Sequence, residues 1–187
     1  FGRALNLADT LSTAAGQLPE AETLTSSGAF ANFCFGQGEL LATPIQIAAM
    51  MNTIAAGGIW REPLFLECTL DETTGESLTA LAHRGARRVF SAQTARALRE
   101  LLASVVTEGT GHEAAPTEGT AAGKTGTAQT GQFAAGKELK NYWFAGFYPA
   151  RNPRYTIVVL QDGQTGPSRT SAAIFAQVCD ALDAAGE

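Results

Sequence analysis

The sequence predicts an α+β fold in which an antiparallel sheet is flanked by helices. Helical patterns come first, three strand-like segments then follow one another, and a helical pattern ends the chain. Consecutive strands without intervening helices do not form the strand–helix–strand units of a parallel sheet. The last two strands are joined by a tight turn over 149–153, and so short a connection requires that they pair antiparallel.

The first predicted helix begins at Pro44 and ends before Gly57. Thr43 can cap it, and proline suits the first helical position because an N–H there has no helical partner. Gly57 and Gly58 are typical of a helix end. The residues expected on its buried face are Ile45, Ala48, Ala49, Met51, Asn52 and Ala55, and both Met50 and Met51 are expected in the core.

A peripheral hairpin is predicted next, with a strand over 63–70 and a turn over 71–75. A second helix is expected to begin after Ser91 and to end near Glu108. Residues 109–120 are rich in Gly, Thr, Glu and Pro, which predicts a loop. The apolar side chains at helical spacing in the second helix are Leu98, Leu101, Leu102 and Val105.

Three strands are predicted over 121–128, 142–148 and 154–161. A glycine-rich, mobile loop is expected over 129–141. A final amphipathic helix is predicted over 168–184. Its expected buried side chains are Ala172, Ile174, Phe175, Val178, Cys179 and Leu182.

The composition is that of a globular protein and argues against nucleic-acid binding. Hydrophobic residues make up 45% and charged residues 17%, and 13 basic residues against 18 acidic ones give a net charge of −5. Nucleic-acid sites need more positive surface, and the cluster of Arg84, Arg87 and Arg88 is interpreted as a solvated turn. No apolar run approaches the roughly 20 residues of a membrane-spanning helix. Phe1 opens what reads as an interrupted amphipathic segment, so we expect the chain to be part of a larger protein.

Cysteines and histidines give no support for a metal site. Cys34, Cys68 and Cys179 lack the spacing of metal ligands, and their apolar neighbours predict that they are buried. His83 and His112 have no second ligand at helical spacing. Neither a metal nor another cofactor is expected.

The most informative run is Ala-Ala-Gly-Lys-Thr-Gly-Thr-Ala at 121–128. A phosphate-binding loop would need a glycine, four residues and then Gly-Lys-Ser/Thr, between a strand and a helix. Glu118 occupies the position of that first glycine, and no helix pattern follows Lys124. The nucleotide-binding interpretation therefore fails.

Lys-Thr-Gly on an edge strand is instead a signature of penicillin-binding proteins and class A β-lactamases. A lysine ammonium can stabilise a substrate carboxylate and manage protons near a nucleophile. Threonine hydroxyls can hydrogen-bond the same carboxylate, and glycine lets a ligand approach the backbone closely. The free strand edge can pair with an extended peptide, and one N–H can donate to an oxyanion.

The surrounding sequence resembles class B penicillin-binding proteins, the D,D-transpeptidases that crosslink peptidoglycan. Gly-Lys-Thr-Gly-Thr-Ala-Gln at 123–129 and Asn-Tyr-Trp-Phe-Ala-Gly-Phe-Tyr-Pro at 141–149 resemble two active-site strands of that family. Phe-Gly-Gln-Gly-Glu-Leu-Leu-Ala-Thr-Pro-Ile-Gln at 35–46 resembles its Gly-Gln-Gly…Thr-Pro-x-Gln segment. The resemblance covers the chain from about residue 30 to the last helix and is closest to penicillin-binding protein 2 and its sporulation counterpart. It implies the fold shared by penicillin-binding proteins and serine β-lactamases.

The resemblance also implies roles for individual residues. Lys124 is expected to be catalytic, and Thr125, Gly126 and Thr127 are expected to bind a peptidoglycan stem peptide or a β-lactam. The backbone N–H of Thr127 is the expected oxyanion donor. Gln37 is interpreted as structural.

One departure from the family is large, since neither Ser-x-x-Lys nor Ser-x-Asn occurs in the 187 residues. In the family these motifs supply the nucleophile and a proton relay, and both precede the region that resembles this chain. Residues 1–187 are therefore expected to be the C-terminal portion of one transpeptidase domain, inactive without the N-terminal portion of the same polypeptide. The resemblance implies a position at the extracytoplasmic face of the bacterial membrane, anchored through that portion, and allows a glycosyltransferase partner. A β-lactam-sensing receptor domain and a β-lactamase are the alternatives.

Overall fold

The structure is a computed structural model that describes residues 2–8, 11–66, 68–80 and 85–186. Its helices and strands combine in the α+β class, as predicted. In chain order they are β1 (Asn6–Ala8), β2 (Leu11–Ser12), α1 (Ser27–Cys34), α2 (Pro44–Ala55), β3 (Ile59–Trp60), β4 (Cys68–Leu70), β5 (Ser77–Ala80), β6 (Arg87–Arg88), α3 (Ala92–Thr107), β7 (Ala122–Ala134), β8 (Lys137–Tyr148), β9 (Tyr155–Gln164) and α4 (Ser171–Ala184). Short 3-10 turns lie at Ala21–Thr25 and His112–Ala114.

The main sheet has three antiparallel strands in the order β7-β8-β9, which places β7 at an edge. Successive side chains of a strand point to opposite faces. Phe144 and Tyr148 accordingly pack with Phe175 of α4, while Ala145 and Phe147 pack in a second core cluster with residues of α2. The central strand is thus buried on both faces, and the helices fix its position.

Hydrogen bonds at the N-terminus of α2 confirm the predicted helix start. The hydroxyl of Thr43 accepts the N–H of Gln46, and the Gln46 side chain accepts the N–H of Thr43, which forms a capping box. Ser91 likewise caps α3. Among the described residues, no helix is long and apolar enough to cross a membrane.

The prediction of a loop over 129–141 is wrong, because β7 and β8 continue through this segment as a hairpin. Only Ala135 and Gly136 form the turn, and both have positive φ, at 49° and 77°, as two-residue hairpin turns often require. Gly131 lies where the register between Gln129 and Phe133 is irregular. Gly131 therefore marks a local irregularity within a strand rather than a loop.

Three residues predicted to lie on buried helix faces are exposed: Asn52, Leu101 at 64% and Val178 at 37%. In α3 the buried residues are Ala95 and Val106, so the face that meets the sheet is rotated away from Leu101. Helix α1 was not predicted. Helix α4 begins at Ser171 rather than at 168, because Thr170 caps it. In α4 the buried residues are Ser171, Ala172, Phe175, Ala176 and Cys179.

The cysteines differ from one another, contrary to the prediction that all three are buried. Cys34 is exposed, Cys68 is partly buried and Cys179 is buried. Burial, with the nearby carboxylates of Asp180 and Asp183, raises the pKa of Cys179 to about 12. Cys34 is exposed because α1 has no buried residue.

The predicted hairpin is present, but its first strand is short, since β4 begins at Cys68 and pairs with β5. Asp71 accepts the backbone N–H groups of Thr73 and Thr74 in the turn. Arg87 and Arg88 form strand β6 rather than a turn, although both are exposed. Arg84 and His83 lie outside the described residues.

Tyr148 connects β8 to α4. Its hydroxyl lies 2.5 Å from the Asp183 carboxylate, to which it donates, and 3.2 Å from the carbonyl oxygen of Glu118. Nearby, Thr117 donates its N–H and its hydroxyl to Asp180. These contacts hold the segment that leads into β7 against α4.

We expect Tyr148→Phe to lower the free energy of unfolding at pH 7 by about 1–3 kcal/mol, because Asp183 loses a charge-assisted hydrogen bond. That hydrogen bond, with burial, raises the pKa of Tyr148 to about 12. The unfolded-state value is about 10, so this contribution is present below pH 10 and is lost as pH rises towards 12. Urea unfolding of both proteins at several pH values measures it. An equal stability difference at pH 7 and pH 12 would contradict the assignment.

Candidate active site

The predicted motif lies in β7, at the open edge of the main sheet. On one side Lys124, Thr125 and Thr127 pair with Ala145, Phe144 and Tyr142 of β8. On the other side no strand of the described residues pairs with β7. The motif therefore lies on a strand whose outer edge can still accept hydrogen-bonding partners.

Two side-chain contacts show which backbone groups face that edge. The amide nitrogen Nε2 of Gln37 donates to the carbonyl oxygen of Thr127 at 2.9 Å, and Nζ of Lys124 donates to that of Thr125 at 3.0 Å. In an antiparallel strand the N–H and C=O of one residue point to the same side. The N–H groups of Thr125 and Thr127 therefore also face the open edge.

Lys124 and two threonine hydroxyls form a polar cluster beside this edge. Nζ of Lys124 lies 3.1 Å from Oγ1 of Thr125, which in turn lies 3.2 Å from Oγ1 of Thr110. Lys124 and Thr110 are exposed, and Thr125 is partly buried. A cation and two hydroxyls so arranged can bind a carboxylate through charge-assisted hydrogen bonds.

Glycines set how closely β7 and β8 approach each other. A Cβ at Gly123 would lie 2.5 Å from Cε1 of Phe144, and a Cβ at Gly146 would lie 2.2 Å from the carbonyl oxygen of Ala122. At Gly126 the nearest contact would be Cβ of Trp143 at 3.3 Å. Packing thus requires glycine at 123 and 146 more strictly than at 126.

Sequence reasoning missed Thr110, which lies in the segment predicted to be a loop. Its hydroxyl contacts Thr125 across 15 positions of sequence, and nothing in the local pattern signals that contact. The predicted residues Lys124, Thr125, Gly126 and Thr127 all lie together on β7. Gln37, interpreted as structural, reaches the same strand.

The candidate site is an open strand edge, and a cavity lies elsewhere in the structure. A cavity of about 430 Å³ lies between the N-terminal segment, α2 and the β3–β6 pair, with Arg3, Trp60 and Phe90 in its wall. None of the predicted site residues lines it. Within the described part of the chain, no three His, Cys, Asp or Glu side chains are grouped to hold a metal ion.

Comparison with known proteins yields a family match over almost the whole chain. The model of the penicillin binding protein transpeptidase domain matches residues 2–180. Penicillin-binding protein PbpB of Mycolicibacterium smegmatis is 35% identical over 182 residues, which cover 89% of this chain and 28% of PbpB. Peptidoglycan D,D-transpeptidase FtsI of Escherichia coli is 33% identical over 155 residues, 79% of this chain and 24% of FtsI. The chain thus spans about a quarter of the length of these relatives.

Solved structures give the same result. The crystal structure of penicillin binding protein 3 from Mycobacterium tuberculosis aligns with a TM-score of 0.78 at 31% identity and covers 92% of this chain and 41% of that one. The imipenem acyl-enzyme complex of penicillin-binding protein A from M. tuberculosis aligns with a TM-score of 0.70 at 27% identity, over 88% of this chain and 35% of that one. These likenesses confirm the predicted fold and the predicted resemblance to class B penicillin-binding proteins. The chain belongs to the family of penicillin-binding protein transpeptidase domains.

Proposed function

We propose that this chain supplies the Lys-Thr-Gly-Thr substrate-binding strand of a serine-type D,D-transpeptidase that crosslinks peptidoglycan. The observation that carries the proposal is the open edge of β7, where the N–H groups of Thr125 and Thr127 lie beside the Lys124 ammonium. An extended peptide ending in D-Ala-D-Ala can pair with such an edge through main-chain hydrogen bonds. A β-lactam is expected to occupy the same edge.

Each site residue then has a part in acyl transfer. A serine oxygen attacks the penultimate D-Ala carbonyl, the bond to the terminal D-Ala breaks, and the serine proton passes to the departing amine. An amine of a second stem peptide then attacks the ester carbonyl, the bond to the serine oxygen breaks, and a proton from the amine passes to that oxygen, which leaves the amide crosslink and a free serine. The N–H of Thr127 donates to the oxyanion of both steps, while Lys124 and Thr125 bind the terminal carboxylate and Lys124 assists proton transfer near the serine.

We further propose that the nucleophile comes from an N-terminal portion of the same polypeptide, so that residues 1–187 are the C-terminal portion of one transpeptidase domain. The support is that neither Ser-x-x-Lys nor Ser-x-Asn occurs in this sequence and that the chain matches about a quarter of its relatives. Anchorage at the outer face of the bacterial membrane and a possible glycosyltransferase partner belong to the same proposal.

The isolated 187-residue chain is therefore expected not to become covalently labelled by fluorescent penicillin. Without an acylating serine the remaining hydrogen-bond donors can stabilise charge but cannot form an acyl-enzyme. The full-length protein is expected to be labelled, and peptide mass spectrometry should place the label on a serine outside residues 1–187.

Two results would count against this proposal. Labelling of a serine within residues 1–187 would show that the chain carries its own nucleophile. Rapid hydrolytic release of the label from the full-length protein would instead indicate a β-lactamase. A transpeptidase is expected to retain the label until an acceptor amine or slow hydrolysis removes it.

A further inference from the structure

We infer that Gln37 is a positioning residue of the active-site strand, whose side-chain amide fixes the Thr127 peptide so that the Thr127 N–H stays directed at the open edge. This inference rests on the proposed function, in which that N–H is the oxyanion donor. It assigns Gln37 a role in the reaction without contact between Gln37 and the reacting atoms.

The contact joins two distant parts of the chain. Nε2 of Gln37 donates to the carbonyl oxygen of Thr127 at 2.9 Å, across 90 positions of sequence. Thr127 is exposed and Gln37 is partly buried. The hydrogen bond between them is exposed to solvent, so it adds little to the free energy of unfolding. What it does is fix the direction in which the Thr127 peptide points.

The end of α1 is built so that Gln37 is held in place. Gly36, with φ of 78°, donates its N–H to the carbonyl of Phe33, and Gln37 donates its N–H to the carbonyl of Asn32. This pair of bonds after a helix is a Schellman motif, which requires a left-handed residue at Gly36. Gly38 follows with φ of 84°. The motif fixes the backbone from which the Gln37 side chain extends.

Burial does not explain why α1 lies here. None of its residues is buried, and Phe30 and Phe35 are 55% and 66% exposed. The Gln37 side chain connects this helix end to the main sheet, and it does so at the site strand. The connection acts near the point where β7 loses regular pairing, since its register with β8 is irregular between Gln129 and Phe133.

The same contact helps determine which backbone hydrogen-bonding groups of the open edge remain free for a ligand. The outward carbonyl of Thr127 accepts from Gln37, and the outward carbonyl of Thr125 accepts from Lys124. With both carbonyls engaged by side chains, the edge presents the N–H groups of Thr125 and Thr127 to a ligand. Such an edge favours an oxyanion or a carbonyl oxygen over a ligand N–H.

The test compares Gln37→Glu and Gln37→Met with the wild type in the full-length protein. Both changes keep the side-chain length and remove the donor, and only the first adds charge. Gln93→Glu is the matched control, because it makes the same chemical change at an exposed side chain in the first turn of α3. We expect the rate constant of acylation by saturating fluorescent penicillin to fall about 10- to 100-fold in both Gln37 variants, less than for complete loss of an oxyanion donor. The Tm should match that of the control.

A readout that does not depend on activity is the amide resonance of Thr127 in NMR spectra, which should shift in both Gln37 variants and stay in place in the control. Wild-type acylation rates with an unmoved Thr127 resonance would overturn the inference. Slower acylation together with a Tm clearly below that of the control would also overturn the inference, because Gln37 would then be purely structural. If the wild type is not acylated at all, the proposed function fails, while the Thr127 resonance still decides whether Gln37 orients the strand.

Discussion

Replacing Lys124 by alanine in the full-length protein is expected to slow acylation by fluorescent penicillin about 10²- to 10³-fold, the loss typical of removing one stabilising group from an acyl-transfer site. Nζ of Lys124 lies within 3.1 Å of both the hydroxyl and the carbonyl oxygen of Thr125. The substitution therefore removes the cation and also frees a carbonyl at the open edge. Stopped-flow labelling over a range of penicillin concentrations separates the binding step from the acylation step.

Two variants make this result specific to Lys124. Lys137→Ala removes an exposed lysine from the start of β8, at the far end of the same hairpin, and it should leave acylation unchanged. Lys124→Arg keeps the charge but replaces the compact ammonium by a planar guanidinium, and it should restore only part of the rate. An unchanged acylation rate in Lys124→Ala would remove Lys124 from the mechanism.

The strand that carries the candidate site could be predicted because its signal is local. Lys124, Thr125 and Thr127 follow one another in a strand pattern, and alternation along an edge strand decides which groups face outward. The start of α2 was predictable for the same reason, since Thr43 and Gln46 form a capping box within one turn. Local structure that is determined by residues close together in the sequence could therefore be predicted.

The rest of the site depends on contacts that a local pattern does not contain. The hydrogen bond between Gln37 and Thr127 spans 90 positions, and the contact between Thr110 and Thr125 spans 15. The hairpin at 129–141 was mistaken for a loop because Gly131 and Gly136 are equally typical of both. The pairing of Phe133 with Glu138 and of Ala134 with Lys137, beyond the irregular register, distinguishes a long hairpin from a mobile loop.

Helix faces show the same limit. Leu101 belongs to the apolar pattern of α3, yet it is 64% exposed, while the small Ala95 is fully buried. Hydrophobic periodicity predicts a helix with an apolar side but does not say which part of that side meets the sheet. The orientation is set by packing of the helix against the strands, which the pattern of one segment cannot specify.

Gly146→Ala is expected to lower the free energy of unfolding by about 3 kcal/mol or more, in the range of severe overpacking. Its Cβ would lie 2.2 Å from the carbonyl oxygen of Ala122 and 2.9 Å from Cα of Gly123. Both are backbone atoms of β7, so no side-chain rotation relieves the clash. The strands must separate at the residue pair directly before Lys124, since Gly146 pairs with Gly123.

Gly28→Ala is the control for the chemical change itself. Gly28 lies in α1, and a Cβ there meets nothing within 4 Å, so this change should alter stability by no more than about 1 kcal/mol, in the stabilising direction. Urea unfolding measures both variants, and equal midpoints would show that β7 and β8 tolerate separation. Acylation of the full-length Gly146→Ala protein, measured where it is still folded, should also fall, because the displaced strand carries both Lys124 and the N–H of Thr127. Stability and acylation should then be lost together at position 146, whereas Lys124→Ala, which removes an exposed side chain, should affect acylation alone.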